Sequence, residues 1–511
     1  MKGTARTVGI VMIIMLFSRL LAFLSSIVYM TFFGVSLQTD IYSYAIQFPN
    51  IVFNSFGTAL ATVVIPIFAG YMGTGEKDRA FKFADNVLSL SIVFAAGLSV
   101  LGILLAPVFP LFTSFKNEGY DFAVLALRIM FPVMIFYALN YVLQGVLQSL
   151  GRFNMPAFVS VPSSLVLILY VFLMGHAYGI LGLVVATFIG LSLQGIILIP
   201  PVFKTEYRFK PSFDLKNEDV KKALRLIPPI LIGTSAYQVN MLFNITITAN
   251  FKETVAIMVF VQNVILYSVL AFVYSITAVV FPRFTMLAAQ NDMDGFKDSL
   301  VKVLKTIAYF LVPATAGFIA VRHPLMDFLV GWGKITSGDV KLASSILALY
   351  AVGISGVGIK EVVDRAFYSI KDTRRPAINS LVVVLVNIGA SLILIRYFGA
   401  LGIPLAYSIS SLTGVVVLVS MLRRKIGAFG LGSLVRTTLK ILLSSAVMFA
   451  VVWLVDLLLG ELAIGGVAAK AARLFIPVAA GVLVYFVSTM LLKVEEAVEV
   501  MNKVRLRLRP G

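Results

Sequence analysis

The residues of this sequence that could do chemistry are ionisable and amide side chains set inside long apolar runs. A charge in hydrocarbon is costly, so each such residue is a functional candidate by default. Arg19 sits about midway along the first run, and Ser26, seven residues on, shares its helix face. A guanidinium there offers a fork of donors that fits a phosphate bidentately; the alternative is a packing arginine held by helix carbonyls. Arg128, inside the fourth run, either adds positive charge to a cavity or snorkels to the interface. Lys360, Glu361, Asp364 and Arg365 form two opposite-charge pairs at i,i+4 spacing. They are either structural pairs or a gate that breaks and re-forms. Asn50, Asn54, Asn140, Gln144, Gln148, Gln238, Asn240, Asn244, Gln262 and Asn263 make an amide-rich set. Amides donate and accept, which suits sugar hydroxyls and peptide groups. Singly, each is better read as a helix–helix hydrogen bond; together they suggest a polar cavity lining.

The elements that must position these residues follow from composition. Of 511 residues, 59% are hydrophobic and 13% charged, against roughly 25% charged in soluble domains. Lipid is therefore the expected solvent, and a span needs about 20 mostly apolar residues. Fourteen runs qualify, near 8–33, 41–72, 83–113, 120–149, 155–175, 178–203, 222–249, 254–288, 298–321, 340–368, 376–397, 400–422, 434–459 and 471–492. They are long and lack a period-two alternation, so the expected fold class is an all-α polytopic membrane protein. Pro49, Pro132, Pro162 and Pro404 are expected kink points. The first run is longer than a signal-peptide core, so a cleaved leader is not expected.

The net charge of +18 raises nucleic acid as a partner, but the placement of the charge argues for lipid. Of 42 Lys and Arg, four (Arg19, Arg128, Lys360, Arg365) are assigned to span interiors, and those near the other span ends are counted with the adjoining loops. Eight (Lys116, Lys252, Arg322, Lys334, Lys341, Arg396, Lys470, Arg473) fall on one side, and the remaining 30 on the other. The positive-inside rule then places both termini in the cytoplasm and the basic loops against anionic lipid. The terminal Lys503, Arg505, Arg507 and Arg509 are read as part of that headgroup-binding side. Cysteine is absent, and the two histidines, His176 and His323, fall in expected loops. With no metalloprotease, P-loop or nucleophile-elbow pattern, no cofactor, metal or catalytic residue is expected.

An internal repeat organises the runs. Gln148-Ser-Leu-Gly-Arg-Phe-Asn-Met-Pro156-Ala157 aligns with Tyr368-Ser-Ile-Lys-Asp-Thr-Arg-Arg-Pro376-Ala377 at an offset of 220, and without a gap Gly179 and Gly182 then meet Gly399 and Gly402. Val63-Val64-Ile65-Pro66 similarly matches Val279-Val280-Phe281-Pro282. The expected domains are an N-lobe of spans 1–6 (1–215), a C-lobe of spans 7–12 (216–426), and spans 13–14 with a basic tail (427–511). Six spans per half make the repeats parallel, and two such lobes around a cavity are a transporter layout.

The motifs resemble the MurJ (MviN) lipid II flippases of the multidrug/oligosaccharidyl-lipid/polysaccharide exporter superfamily. Phe17-Ser18-Arg19-Leu20-Leu21-Ala22-Phe23, Phe33-Gly34, Thr39-Asp40 and Phe48-Pro49-Asn50 follow the family's opening pattern at its spacing. Gly331-Trp332-Gly333-Lys334-Ile335-Thr336 with Asp339, and Arg365-Ala366-Phe367-Tyr368-Ser369 with Asp372-Thr373 and Pro376, are further matches. The likeness implies a flippase that carries undecaprenyl-pyrophosphate-linked lipid II outward by alternating access, in the bacterial plasma membrane, as a monomer, with membrane potential or ions contributing. It also implies that Arg19 binds pyrophosphate and that spans 13–14 line a groove for the prenyl tail. At Asp40 the family keeps an acid, so that residue either caps the second helix or acts as a gate contact. The sequence departs from the family mainly at its cavity arginines: Ser25 and Ser26 stand at its Arg-Asp pair, Phe53-Asn54 at a pair of arginines, Gly57-Thr58-Ala59 at its Ala-Glu-Gly-Ala element, and Asn263 at an eighth-span arginine. Substrate contacts are then expected from Arg19, Ser26, Asn50, Asn54, Arg128 and Asn263.

Three other readings compete. A flippase for another undecaprenyl-linked oligosaccharide is kept open by the missing arginines. A cation-coupled drug exporter would want a mid-membrane carboxylate in spans 1–6, where none is found. A membrane glycosyltransferase would want carboxylates on an outer loop, and those loops are short.

Overall fold

Apolar runs of this length satisfy their backbone groups in lipid only as helices or closed barrels. The computed structural model describes residues 2–265, 269, 271–460, 466–499 and 501, with the backbone alone at 2–9, 229–230, 232–234 and 271. Among the described residues there is no strand; the chain is an all-α polytopic membrane protein. It packs as two units, Met1–Val259 and Phe260–Gly511.

The first unit runs through α1 (Lys2–Phe33), α2 (Leu37–Thr74), α3 (Lys77–Leu105), α4 (Tyr120–Met130) and α5 (Val133–Ser149). It continues with α6 (Asn154–Phe158), α7 (Val161–Ile196), α8 (Ile199–Phe203) and α9 (Glu218–Thr248), and holds the first turn of α10 (Val255–Ile265). The repeat reading divides the chain at 215/216. Packing divides it later because α9 lies along α2. Pro132 splits the fourth span into α4 and α5, since proline lacks the N–H and clashes with the preceding turn. Beside that break the Ser99 hydroxyl donates to the Phe131 carbonyl at 3.1 Å. Pro49 lies inside α2 as expected, but Pro162 sits at the start of α7. There its missing donor costs nothing, so it is not a kink.

α7 doubles back on itself. The Gln194 amide donates to the Ser163 hydroxyl at 2.8 Å, which an unbroken helix would hold 31 residues away. The reversal is at Gly179, with φ 56 and ψ −146.

The second unit contains α11 (Ala271–Ala289), α12 (Met293–Ala320), α13 (Arg322–Val330), α14 (Ser337–Ser369), α15 (Arg374–Phe398), α16 (Gly402–Ile426), α17 (Leu431–Gly460) and α18 (Gly466–Leu491). α15 and α16 repeat the α7 hairpin, with Asn387 donating to Ser410. Pro404 falls in the first turn of α16, again not a kink. Positive φ recurs at matched places in the two repeats: Gly75 and Asn291 (80° and 56°), Gly151 and Lys371 (74° and 59°). Among the described residues, eleven helical stretches are long and apolar enough to cross a membrane. Two of them, Asn154–Phe203 and Arg374–Ile426, are these hairpins, and α9 adds a further 31-residue helix. The segments thus match the fourteen expected.

α17 and α18 pack on each other and on α12. The Tyr485 hydroxyl donates to the Tyr309 carbonyl at 2.7 Å. At the opposite end Lys470 pairs with Asp327 at 2.7 Å and lies 4.2 Å from the Trp332 ring centre. Gly331 and Trp332, which open the GWGK motif, therefore serve as a docking point for α18.

Candidate functional site

α2 is half buried and strongly apolar, yet one face carries Asn50, Asn54, Thr58 and Thr62 at successive i,i+4 positions. Residues four apart lie one above another on a helix, so these form a polar stripe. Asn50, Thr58 and Thr62 are exposed and Asn54 is half-buried. The Thr58 hydroxyl donates to the Asn54 carbonyl at 2.9 Å, and Thr62 to that of Thr58 at 2.8 Å. The amides cannot satisfy themselves in this way. In hydrocarbon an amide left without a partner costs several kcal/mol, about 2–7, so the stripe fits a polar cavity and not lipid.

α5 completes the surface. The Tyr141 hydroxyl donates to Asn54 Oδ1 at 3.1 Å, leaving the Asn54 amide N–H groups free to donate. Gly57 makes this possible: a Cβ there would lie 2.1 Å from the Tyr141 ring. On α5 the Gln144 amide donates to Asn140 Oδ1 at 2.6 Å. On α9, which packs along α2, the side-chain oxygens of Asn240 and Asn244 are buried without a hydrogen-bond partner. The surface thus offers amide donors on α2, while the two α9 oxygens are enclosed within the packed helices. Reading residues by type missed Thr58, Thr62, Tyr141 and Gly57. The signal for the threonines was present as the four-residue spacing Asn-x3-Asn-x3-Thr-x3-Thr.

The other expected residues are placed as follows. Arg19 is exposed on α1, with no ion pair among the described residues. Ser26 is half-buried and its hydroxyl donates to the Ala22 carbonyl at 3.1 Å, within the same helix. Arg128 is exposed in the last turn of α4, where a cation favours the helix dipole. Asn263 is half-buried on α10, in the second unit. The tail cations Lys503, Arg505, Arg507 and Arg509 lie outside the described residues.

Asp40 is fully buried, and of its two readings, cap or gate contact, the first does not hold for α2. Ser36 caps α2, in a reciprocal capping box with Thr39. Asp40 instead accepts the N–H groups of Thr254 and Ala256, each at 2.9 Å, at the start of α10. It also lies in the first turn of α2, so one carboxylate serves two helix N-termini, where negative charge is favoured. Nearby, Ser114 donates to the Ala249 carbonyl at 2.7 Å and Lys252 pairs with Glu118 at 2.7 Å. Glu118 is the main cause of a raised Lys252 pKa.

The two pairs on α14 form as the spacing suggested. Lys360 meets Asp364 at 2.7 Å and Arg365 meets Glu361 at 2.6 Å. Asp364 is buried, and its second oxygen has no partner. Arg365 lies 5.8 Å from the Phe281 ring centre. Among the described residues, no group of three or more His, Asp or Glu is placed to hold a metal ion.

A family described as "Lipid II flippase MurJ" matches residues 29–471. The chain is similar to a "Probable lipid II flippase MurJ" of Bdellovibrio bacteriovorus, 26% identical over 88% of this chain and 87% of that protein. It is also similar to a "Lipid II flippase MurJ" of Thermosipho africanus, 26% identical over 86% and 88% respectively. Among solved structures, a "Lipid II flippase MurJ, inward closed conformation" superposes with a TM-score of 0.79, at 25% identity, over 94% of this chain and 98% of that one. An inward-facing multidrug transporter of the MATE family superposes with a TM-score of 0.68, at 16% identity, over 82% and 96%. That likeness is one of fold.

Proposed function

The chain belongs to the MurJ family of lipid II flippases, and from that premise we propose how it moves its substrate. It translocates lipid II, an undecaprenyl-pyrophosphate-linked peptidoglycan precursor, between the leaflets of the bacterial plasma membrane. The basic loops and both termini face the cytoplasm. The sugar–peptide headgroup enters a polar cavity while the prenyl tail stays in lipid.

No bond is made or broken. The barrier is desolvation: hydroxyls, amides and phosphates must leave water for the membrane interior. A cavity lined by fixed donors and acceptors offsets that cost at each polar group. Asn50, Asn54 and Tyr141 supply such groups along α2 and α5. Arg19 supplies charge for the pyrophosphate, and neutral amides serve the rest of the headgroup. The observation that carries this reading is the polar stripe along an otherwise apolar spanning helix.

Rocking of two lobes then exposes the cavity to one side and the other. Asp40 and the α14 pairs act as gate contacts. The protein works as a monomer without a cofactor, driven by membrane potential or an ion gradient and not by nucleotide. Purified protein should bind lipid II, and Asn54→Leu with Thr58→Leu should weaken that binding about tenfold, as expected for losing one or two hydrogen bonds of ~1 kcal/mol. Binding unchanged by these substitutions would refute the stripe as the headgroup surface.

A further inference from the structure

The repeat makes an internal control for the loop after α5. Gly151 and Lys371 occupy the same position in the two repeats and both have positive φ. The next residue is Arg152 in the first repeat and Asp372 in the second. Asp372 is neutralised within the protein: it accepts from Arg375 and lies 3.9 Å from Lys425. At the matching place in the first repeat the acid has become a base.

There the Arg152 guanidinium donates to the carbonyls of Pro201 and Lys204 at 3.3 and 3.2 Å, with Lys204 itself beside it. The two cations border a cavity of about 410 Å³ together with Phe153, Asn154 and Met155. No carboxylate lines that cavity. The nearest acid in sequence, Glu206, is held by Lys77 at 2.6 Å. Phe153 and Phe203 are exposed, 44% and 50%, beside this positive pocket. Basic groups flanked by exposed aromatics form a surface for an anionic interface.

We infer that the Arg152–Lys204 pocket binds the phosphate of an anionic phospholipid from the leaflet that faces the basic loops. The charge that Asp372 supplies internally in one repeat is supplied by lipid in the other. The orientation rests on the proposed topology; the binding itself does not need lipid II transport.

The test uses full-length protein titrated with phosphatidylglycerol or phosphatidylcholine, with bound lipid counted by native mass spectrometry. Arg152→Gln and Lys204→Gln should each lower phosphatidylglycerol binding about fivefold, the worth of one juxtamembrane cation. Arg152→Asp, which copies the second repeat, should lower it further, and phosphatidylcholine binding should not change. If Arg152→Asp fails to fold, the two glutamine variants decide. Wild-type phosphatidylglycerol binding in both would overturn the proposal. So would an equal loss of phosphatidylcholine, or displacement of the lipid by millimolar inorganic phosphate, which would mark a free-phosphate pocket. Normal lipid II transport alongside such a result would sink only this site; intact lipid binding without transport would sink only the flippase reading.

Discussion

Gly179 and Gly399 stand 220 residues apart and hold one backbone conformation, φ 56 with ψ −146 in the first and φ 56 with ψ −138 in the second. This region is nearly closed to residues with a Cβ. Each glycine turns a helical hairpin, so the duplication is preserved at the level of dihedral angles as well as sequence. Alanine at either position should cost about 1–3 kcal/mol and by similar amounts at both. Thermal unfolding in detergent reads this directly, and a neutral substitution at either glycine would break the equivalence.

Asp40 gives a second expectation. Asp40→Ala strands the N–H groups of Thr254 and Ala256 in a buried place. The expected loss is about 1–3 kcal/mol per stranded group. Asp40→Asn keeps one acceptor oxygen and should lose less. Equal stability of the two variants would show that the carboxylate does not act as a cap.

The Lys360–Asp364 pair separates stability from charge. Lys360→Met leaves Asp364 buried and uncompensated, at a cost of about 3–5 kcal/mol. Lys360→Met with Asp364→Leu should recover most of it, because the second substitution removes the stranded charge. A double variant as unstable as the single one would place the cost elsewhere than in the pair.

A pH dependence is expected at Glu496, which lies beyond the last spanning helix. Burial raises its pKa, against the opposing effects of its own backbone N–H and of Lys305. Because the folded pKa exceeds the unfolded one, its contribution is full below the ordinary carboxylate range and is lost as pH rises through the raised value. Glu496→Gln should therefore flatten the fall in stability above about pH 4.3, the ordinary glutamate pKa. Parallel stability–pH curves for the two proteins would contradict this.

Much of the fold was legible because lipid imposes a simple grammar. Apolar length located the spans, and the near-220 offset matched the two hairpin turns. What escaped was how side chains are shared between helices. Asp40 reads locally as a cap for α2, but Ser36 already holds that place, and the free N-terminus lies more than 200 residues away in sequence. Pro162 and Pro404 look like kinks until the helix starts are known. In the candidate site, Asn50 and Asn54 were visible as amides in an apolar run. Tyr141 was not, because its role depends on the gap that Gly57 leaves on a neighbouring helix.

The most direct measurement is exposure of lipid II on the outer leaflet in cells depleted of their own flippase and expressing this chain. Normal exposure and survival are expected. They should fall sharply when Asn54→Leu and Thr58→Leu are combined with Arg19→Ala, and stay normal with a lipid-facing control such as Leu173→Ala. Failure of well-inserted wild-type protein to expose lipid II, or full activity of the triple variant, would contradict the account.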